Sequence, residues 1–541
     1  MLAAISFLTF TGLVAVFTWW RTRREDLRHF EGYFLGGRSL SWIVIAGSLM
    51  MTNISTEQIV GLNGSAYSFG MSVMAWEVIA AIGLAIMALF LLPRYLRDGV
   101  TTIPEFLEER YSRGVRTMIA IVTVVTTIIL ILPFVLYTGA LSFVSIFGLD
   151  RILGVSENMA VMVTVVGLAL VGGAYAVAGG LKAVAISDTI NGLGLLIGGT
   201  LVTVLAFLKL GEGSFSRACR ILTEQRPDLL NAIGGEKSAV PFSSLFTALL
   251  LISVSYWGLN QFIIQRTFGA RSLAEGQKGV LFAGLLKILG VGIVVFPGIL
   301  AYHLFNGGLP HGDLAYPRLV KDVLPSPLMG FFSAVLFGAI ITTFDSALHS
   351  LSTVLSVDIY KPLLRRQASD SEVVWAGKIV GIILIAFSVG IVPLISGSSE
   401  GVFNLMKRIG GYTAGPTTAI TLMAFLHRRN PPWSAYIALP VGMIFYGLFT
   451  DVRGGLLCRW NGADVRLHWL HWYALSFFVV FALMLLVRWI CPPATETEGV
   501  ARPPPPGVDL RPWRYARPAA LGLLAAVVLV YWFFSPLGVA R

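Results

Sequence analysis

Apolar runs of roughly 20 residues recur along the whole chain, each long enough to cross a hydrocarbon core of about 30 Å. Fourteen spans are predicted, at 3–20, 41–66, 71–93, 115–140, 157–178, 184–207, 242–264, 279–303, 327–357, 374–396, 402–426, 433–451, 467–489 and 518–536. The first lacks a basic segment before its apolar run and a small-residue cleavage site after it. Arg21, Arg23 and Arg24 follow instead, so it reads as a helix and not as a secretory leader. The segment 208–241 has room for a short surface helix. The stretch 492–517, with Pro503, Pro504, Pro505 and Pro506, reads as a semi-rigid linker to the last span. No separate soluble domain is predicted.

The basic residues between spans orient them, because Lys and Arg accumulate in short cytoplasmic loops. With the N-terminus outside, the first inside loop holds Arg21, Arg23, Arg24, Arg28 and Arg38, and the second Arg94, Arg97, Arg110, Arg113 and Arg116. Later inside loops hold Arg266, Arg271 and Lys278, then Lys361, Arg365 and Arg366, then Arg428 and Arg429, then Arg488, Arg502, Arg511, Arg514 and Arg517. The expected topology is N-terminus outside and C-terminus outside, in a cell membrane.

Composition agrees with the pattern. Hydrophobic residues make up 56% of the 541 residues and charged residues only 13%, where a soluble chain is nearer a quarter charged. The net charge of +11 lies in loops between apolar runs, which is membrane topology and not a nucleic-acid face. Three cysteines, Cys219, Cys458 and Cys491, with no CxxC spacing, exclude a disulfide scaffold and a cysteine zinc site. Cys219 and Cys458 both fall in outside loops, and nothing in their spacing argues that they pair.

The polar residues inside spans carry the chemistry. Glu57, Glu77, Asp188, Lys287, Asp345 and Lys407 with Arg408 lie on six different predicted helices. Each costs about 2.5–3.5 kcal/mol at a helix centre on insertion scales. Both signs occur, which points to one polar site built by several helices; ion pairs that only fix helix packing are the plainer alternative. The second span also holds a polar run, Thr52-Asn53-Ile54-Ser55-Thr56-Glu57-Gln58, and the seventh holds Ser253-Val254-Ser255-Tyr256-Trp257-Gly258-Leu259-Asn260-Gln261. Unwound backbone at membrane depth is tolerated where it lines a protein cavity. Two interrupted spans five apart are the sequence pointer to an inverted-repeat transporter with a midplane site. The ninth span contributes Thr342-Thr343-Phe344-Asp345-Ser346, oxygen donors of the kind a hard cation takes.

These segments resemble the sodium/solute symporter family, and within it the sodium–glucose cotransporter branch. The resemblance rests on Gly32-Tyr33-Phe34-Leu35-Gly36-Gly37-Arg38, Asn53-Ile54-Ser55-Thr56-Glu57-Gln58 and Thr102-Ile103-Pro104-Glu105-Phe106. Further along it rests on Gly179-Gly180-Leu181-Lys182-Ala183-Val184 with Asp188, Tyr256-Trp257-Gly258-Leu259-Asn260-Gln261 with Gln265-Arg266, and Asp358-Ile359-Tyr360. It implies an all-α membrane protein with a leucine-transporter-like core of five plus five helices and two broken helices. The implied organisation is an extra helix and basic loop over 1–40, repeats over 41–207 and 242–426, an outside loop at 208–241 and extra helices over 427–541.

By resemblance, sodium is held by the carbonyls of Met51, Ile54 and Ala339 and the hydroxyls of Thr342 and Thr343. A second sodium position would use Asp188, Thr342, Asp345 and Ser346, with Asp345 where relatives usually have a hydroxyl. The solute would meet Gln58, Glu77, Ser253, Lys287 and Arg408, with Tyr256 as the inner gate. Arg408, matched to a sugar-binding glutamine, either reads an acidic group on the solute or pairs with Glu77 or Asp345. The implied activity is sodium-coupled import of a sugar or sugar derivative by alternating access. The partners are then sodium, a small solute and the lipid bilayer, with no nucleic acid. The competing reading is a transporter-fold solute sensor without net transport. An intramembrane enzyme is disfavoured, because the histidines form no HExxH.

Overall fold

Serines at the starts of several apolar runs set where helices begin. Ser112, Ser156 and Ser272 each accept a backbone hydrogen bond from the residue three places on, which satisfies an N–H that a helix start leaves unpaired. The computed structural model describes residues 2–236, 238–395, 402–427, 429–450, 459–460, 463–464, 467–492 and 508–541. Its membrane-length architecture runs as α1 (Leu2–Thr22), α2 (Trp42–Asn53), α3 (Thr56–Phe69), α4 (Ala75–Ile86), α5 (Arg113–Phe147), α6 (Glu157–Ala176), α7 (Gly179–Leu210) and α8 (Ala248–Leu259). It continues as α9 (Gln261–Phe268), α10 (Leu273–Leu304), α11 (Ser326–Leu364), α12 (Asp370–Ile395), α13 (Val402–Leu426), α14 (Pro432–Thr450), α15 (Trp469–Ile490) and α16 (Ala516–Phe533). A two-residue ribbon, Arg459–Trp460 against Ala463–Asp464, is the sole sheet among the described residues.

Eleven described helices are long and apolar enough to cross a membrane, and twelve if the bent pair α8 and α9 counts once. The expected count of fourteen is therefore not reproduced by length and apolarity, for two local reasons. The second predicted span is split at Ile54 and Ser55, and its latter half, α3, runs on with α4 toward Asp98. The eleventh, α13, is helical but carries Lys407, Arg408 and a run of glycine and threonine. The predicted surface helix in 208–241 is present as Phe215–Gln225. Most of the proline-rich stretch, including Pro503, Pro504, Pro505 and Pro506, lies outside the described residues, as does Cys458.

Small residues let the helices at the centre approach closely. A Cβ on Gly47 of α2 would lie 2.8 Å from the Cα of Thr189 on α7, and one on Gly338 of α11 would lie 2.1 Å from the Asn191 side chain. Helices α2, α7 and α11 thus form a tight trio, with α1 packed on the outside of α7 and α11. Helices α6 and α7 are joined through Gly180, whose φ of 62° and ψ of 177° break the helix. An L-residue with a Cβ rarely adopts that conformation.

The motifs behind the resemblance converge at one end of the bundle. Gln261 accepts from the Ile103 N–H at 2.9 Å and donates to the Thr101 carbonyl at 3.2 Å. Thr102 and Arg116 both donate to Asp358, at 2.9 and 2.8 Å. Gln265 donates to the Phe34 carbonyl at 3.2 Å and to Thr353 at 2.8 Å. Segments up to 256 residues apart in sequence are therefore joined by hydrogen bonds made by buried side chains, which is a physical reason for those residue types at those places.

Candidate transport site

The break between α2 and α3 is made by backbone hydrogen bonds that leave helical register. The Ser55 N–H donates to Asn53 O at 3.1 Å and the Gln58 N–H to Ser55 O at 3.1 Å. In an uninterrupted helix those two donors would serve Met51 and Ile54. Their carbonyls are released, and Ser55 itself is extended, with φ −100° and ψ −177°. The Thr343 hydroxyl of α11 donates to the freed Met51 carbonyl at 3.2 Å, and the Thr342 hydroxyl lies 3.4 Å from the Ala339 carbonyl. Met51, Ile54, Ala339, Thr342 and Thr343 are all buried. The five residues expected to hold sodium thus belong to two facing elements, and one hydrogen bond directly bridges them. Oxygen donors alone suit a hard monovalent cation.

A second oxygen cluster lies beside the first. One oxygen of Asp188 accepts from Ser48 at 2.5 Å and from Thr52 at 3.5 Å. Arg266 donates to Ser48 at 2.9 Å and stands 4.0 Å from the same carboxylate. The other oxygen of Asp188, both oxygens of Asp345 and the hydroxyl of Ser346 are buried without a hydrogen-bond partner. Buried polar atoms are ordinarily satisfied, so four orphaned oxygens in one cluster fit a cation site. The sequence did not single out Ser48 or Arg266 for this cluster; Ser48 precedes the polar run that drew attention.

The solute-facing network centres on Asn53. Its amide nitrogen donates to Gln58 Oε1 at 3.1 Å and to the Tyr256 hydroxyl at 3.2 Å, and its oxygen accepts from Lys287. Lys287 also forms an ion pair with Glu77, which accepts from Gln58. Glu77 and Lys287 are 0% and 1% exposed, so each charge depends on the other for compensation. Gln58, Glu77, Lys287 and Tyr256 were expected here. Asn53 was not, although it lies inside the polar run.

Ser253 packs its backbone against Gly83 of α4, where an added Cβ would lie 2.8 Å from the Ser253 carbonyl. On α13 it is Lys407, and not Arg408, that enters the cavity beside this network. The Lys407 ammonium lies 5.3 Å from the Tyr256 ring centre and 5.6 Å from that of Trp76, within cation–π range. It also interacts electrostatically with Glu57, one of whose oxygens is buried without a hydrogen bond. Arg408 is half-buried and does not line that cavity, and its carbonyl accepts from Tyr446 of α14 at 3.1 Å. The sequence marked both residues but could not choose between adjacent positions on one helix.

This cavity, of about 160 Å³, is walled by Trp76, Tyr256, Lys407, Trp469 and Tyr473. It adjoins a second of about 120 Å³ lined by threonines of α5 and α13, with Thr126 and Thr413 common to both. Their hydroxyls lie 3.2 Å apart across the junction. Tyr256 therefore stands between the polar network and a hydroxyl-lined passage.

Two broken helices, a cation-type oxygen cluster between α2 and α11, and a buried polar network around the break define the class as a sodium-coupled secondary transporter. The description "sodium:solute symporter family" matches residues 33–442, and the chain belongs to that family. It is 42% identical to the uncharacterized symporter YidK of Escherichia coli (strain K12), over 98% of this chain and 90% of that protein. It is 31% identical to the sodium/glucose cotransporter of Vibrio parahaemolyticus, over 79% of this chain and 81% of that one. In fold, it superposes on a substrate-bound, outward-open Na+-coupled sialic acid symporter with a TM-score of 0.74 at 18% identity, covering 91% of this chain and 98% of that chain. The protein is an integral membrane transporter coupled to sodium and not an enzyme, and its partners are sodium and a small solute.

Proposed function

We propose that the chain imports a sugar or sugar derivative with sodium by alternating access, between repeats spanning 41–207 and 242–426. The observation that carries this reading is the closed network of Asn53, Gln58, Glu77 and Lys287 beneath the Tyr256 ring, directly against the α2 break. Such donors and acceptors match the hydroxyls of a polyol. An aromatic face suits the apolar side of a pyranose. The relatives' names, sodium/glucose and sodium/myo-inositol cotransporter, point to the same solute class.

Sodium at Met51, Ile54, Ala339, Thr342 and Thr343 joins α2 to α11 and favours the state in which the solute network is assembled. A second sodium is held by Asp188, Thr342, Asp345 and Ser346. Coupling requires that sodium bind the two access states with different affinity. With both termini outside and the basic loops in the cytoplasm, an inward membrane potential of 100 mV adds about 2.3 kcal/mol per charge moved. Lys407, in its aromatic surround, confers tolerance for an acidic substituent on the solute.

Uptake into proteoliposomes under an inward sodium gradient tests this, with neutral sugars, sugar acids and amino sugars as the panel. Accumulation that collapses without sodium is expected for at least one member. Solute binding with no accumulation of any member would replace transport with sensing.

A further inference from the structure

Away from the transport site, one cavity combines apolar walls with a basic rim. It has a volume of about 380 Å³ and lies where the end of α1 meets the starts of α2 and α7. Phe17, Val44, Ile186 and Ile190 line its apolar part, and Arg21, Lys182 and Arg271 its rim. The backbone fixes that rim. The Leu40 N–H donates to Gly269 O at 3.0 Å and the Arg271 N–H to Leu40 O at 3.2 Å, which places Arg271 beside the start of α2. Lys182 follows two residues after the Gly180 break. At the deep end α2 and α7 touch through Gly47 and Thr189, and they part below that contact. The cavity is therefore a wedge between helices, greasy inside and cationic at its mouth.

The rim keeps an excess of positive charge. Lys182 pairs with Glu25 at 2.5 Å, while Arg271 and Lys278 share Glu275 at 3.1 and 3.2 Å. Arg21 has no acidic partner among the described residues, so the three rim cations meet two carboxylates, one of which is shared with Lys278 outside the wedge. Trp20, which also lines the wedge, is the residue type favoured at the level of lipid headgroups. A larger groove of about 710 Å³ beside α16 offers a contrast, because it contains no cation to select a headgroup.

We propose that the wedge binds one anionic phospholipid. Its phosphate lies at Arg21, Lys182 and Arg271, and one acyl chain runs along Phe17, Val44, Ile186 and Ile190. The lipid so placed ties the peripheral helix α1 to the core. The site stands on geometry at one end of the spans and does not depend on which side of the membrane that end faces, nor on the identity of the solute.

Native mass spectrometry of the detergent-purified protein, supplied with equal phosphatidylglycerol and phosphatidylcholine, tests the proposal. The unaltered protein should retain phosphatidylglycerol preferentially. Each cation removed from the rim lowers that preference by about fivefold, so Arg21→Gln with Arg271→Gln should reduce it by more than tenfold without lowering the melting temperature in neutral lipid. Arg23→Gln with Arg24→Gln removes the same charge outside the wedge and should leave the preference nearly intact. Ile190→Trp, which fills the apolar part, should lose the adduct with every cation in place. Equal retention of the two lipids by the unaltered protein, or equal losses in the two arginine double variants, would overturn the site. The arginine variants decide the matter even if Ile190→Trp does not fold.

Discussion

Two buried polar clusters sit on either side of the α2 break, and they are satisfied in opposite ways. Around Asn53 every partner is internal. Lys287 meets Glu77 and Asn53, and Gln58 bridges Asn53 and Glu77. Around Asp188 and Asp345, four oxygens have no hydrogen-bond partner, and Arg266 is the cation nearest Asp188. The first cluster holds itself together and must exchange internal bonds for solute bonds. The second is short of positive charge and is completed from outside. Under the proposed function, the difference between a network that is closed and one that lacks a cation is what would couple the solute to the ion across the α2 break.

The largest effect that separates the clusters comes from breaking the closed one. Lys287→Met strands Glu77 in the core, and an uncompensated buried charge costs about 3–5 kcal/mol. A large drop in melting temperature and loss of uptake are expected. Glu77→Gln combined with Lys287→Met should recover most of the stability but not the uptake, and a double variant as unstable as the single one would disprove the pairing.

In the oxygen cluster, Thr343→Ala removes the donor to the Met51 carbonyl and one of the proposed sodium ligands. A loss of about 1–3 kcal/mol should raise the sodium concentration for half-maximal uptake by roughly tenfold or more, with little change in melting without sodium. Unchanged sodium activation would remove Thr343 from the ion site.

Asp345→Ser sharpens the comparison further. It deletes a buried carboxylate that lacks partners, so melting in sodium-free buffer should rise while the extra stabilisation by sodium shrinks. A variant that loses stability equally with and without sodium would make Asp345 part of the packing instead.

The smallest effect lies at the surface. Arg226 and Asp228 form an exposed pair at 2.8 Å, and the hydrogen bonds from Arg226 hold the Asp228 carboxyl below the usual carboxylate range. A depressed folded-state value means the stabilisation is present above the ordinary aspartate pKa and is lost as pH falls through the folded value. Solvent screening limits it to about 0.5 kcal/mol. Asp228→Asn should change melting marginally at pH 7, and the difference should shrink as pH falls below the ordinary aspartate pKa; a change as large as that of Lys287→Met would contradict the contrast between buried and exposed pairs.

The fold was readable because its signals are local. Apolar runs, the polar interruption at 52–58 and the Tyr256–Gln261 segment each announce themselves within about ten residues. Carbonyls at the break were also foreseeable, since a polar run in a span implies released backbone. What sequence alone left open is angular. Lys407 and Arg408 are neighbours, about 100° apart around one helix, and only the packing of α13 against Trp76 and Tyr256 shows which faces the cavity. Asn53 and Arg266 were hidden for a related reason. Their importance comes from partners more than 200 residues away, Tyr256 and Lys287 for one and Ser48 for the other.

The passage beyond Tyr256 has a consequence for speed. Thr417, Thr418 and Thr421 each give their single hydroxyl proton to a carbonyl of their own helix, at 2.7, 2.5 and 2.8 Å. On this side the cavity wall therefore presents hydroxyl lone pairs. Thr417 and Thr421, four residues and about 6 Å apart along one helical face, repeat such acceptors one after the other. If the proposed solute leaves past Tyr256 by this route, like acceptors give it no single strong anchor, which favours turnover over retention.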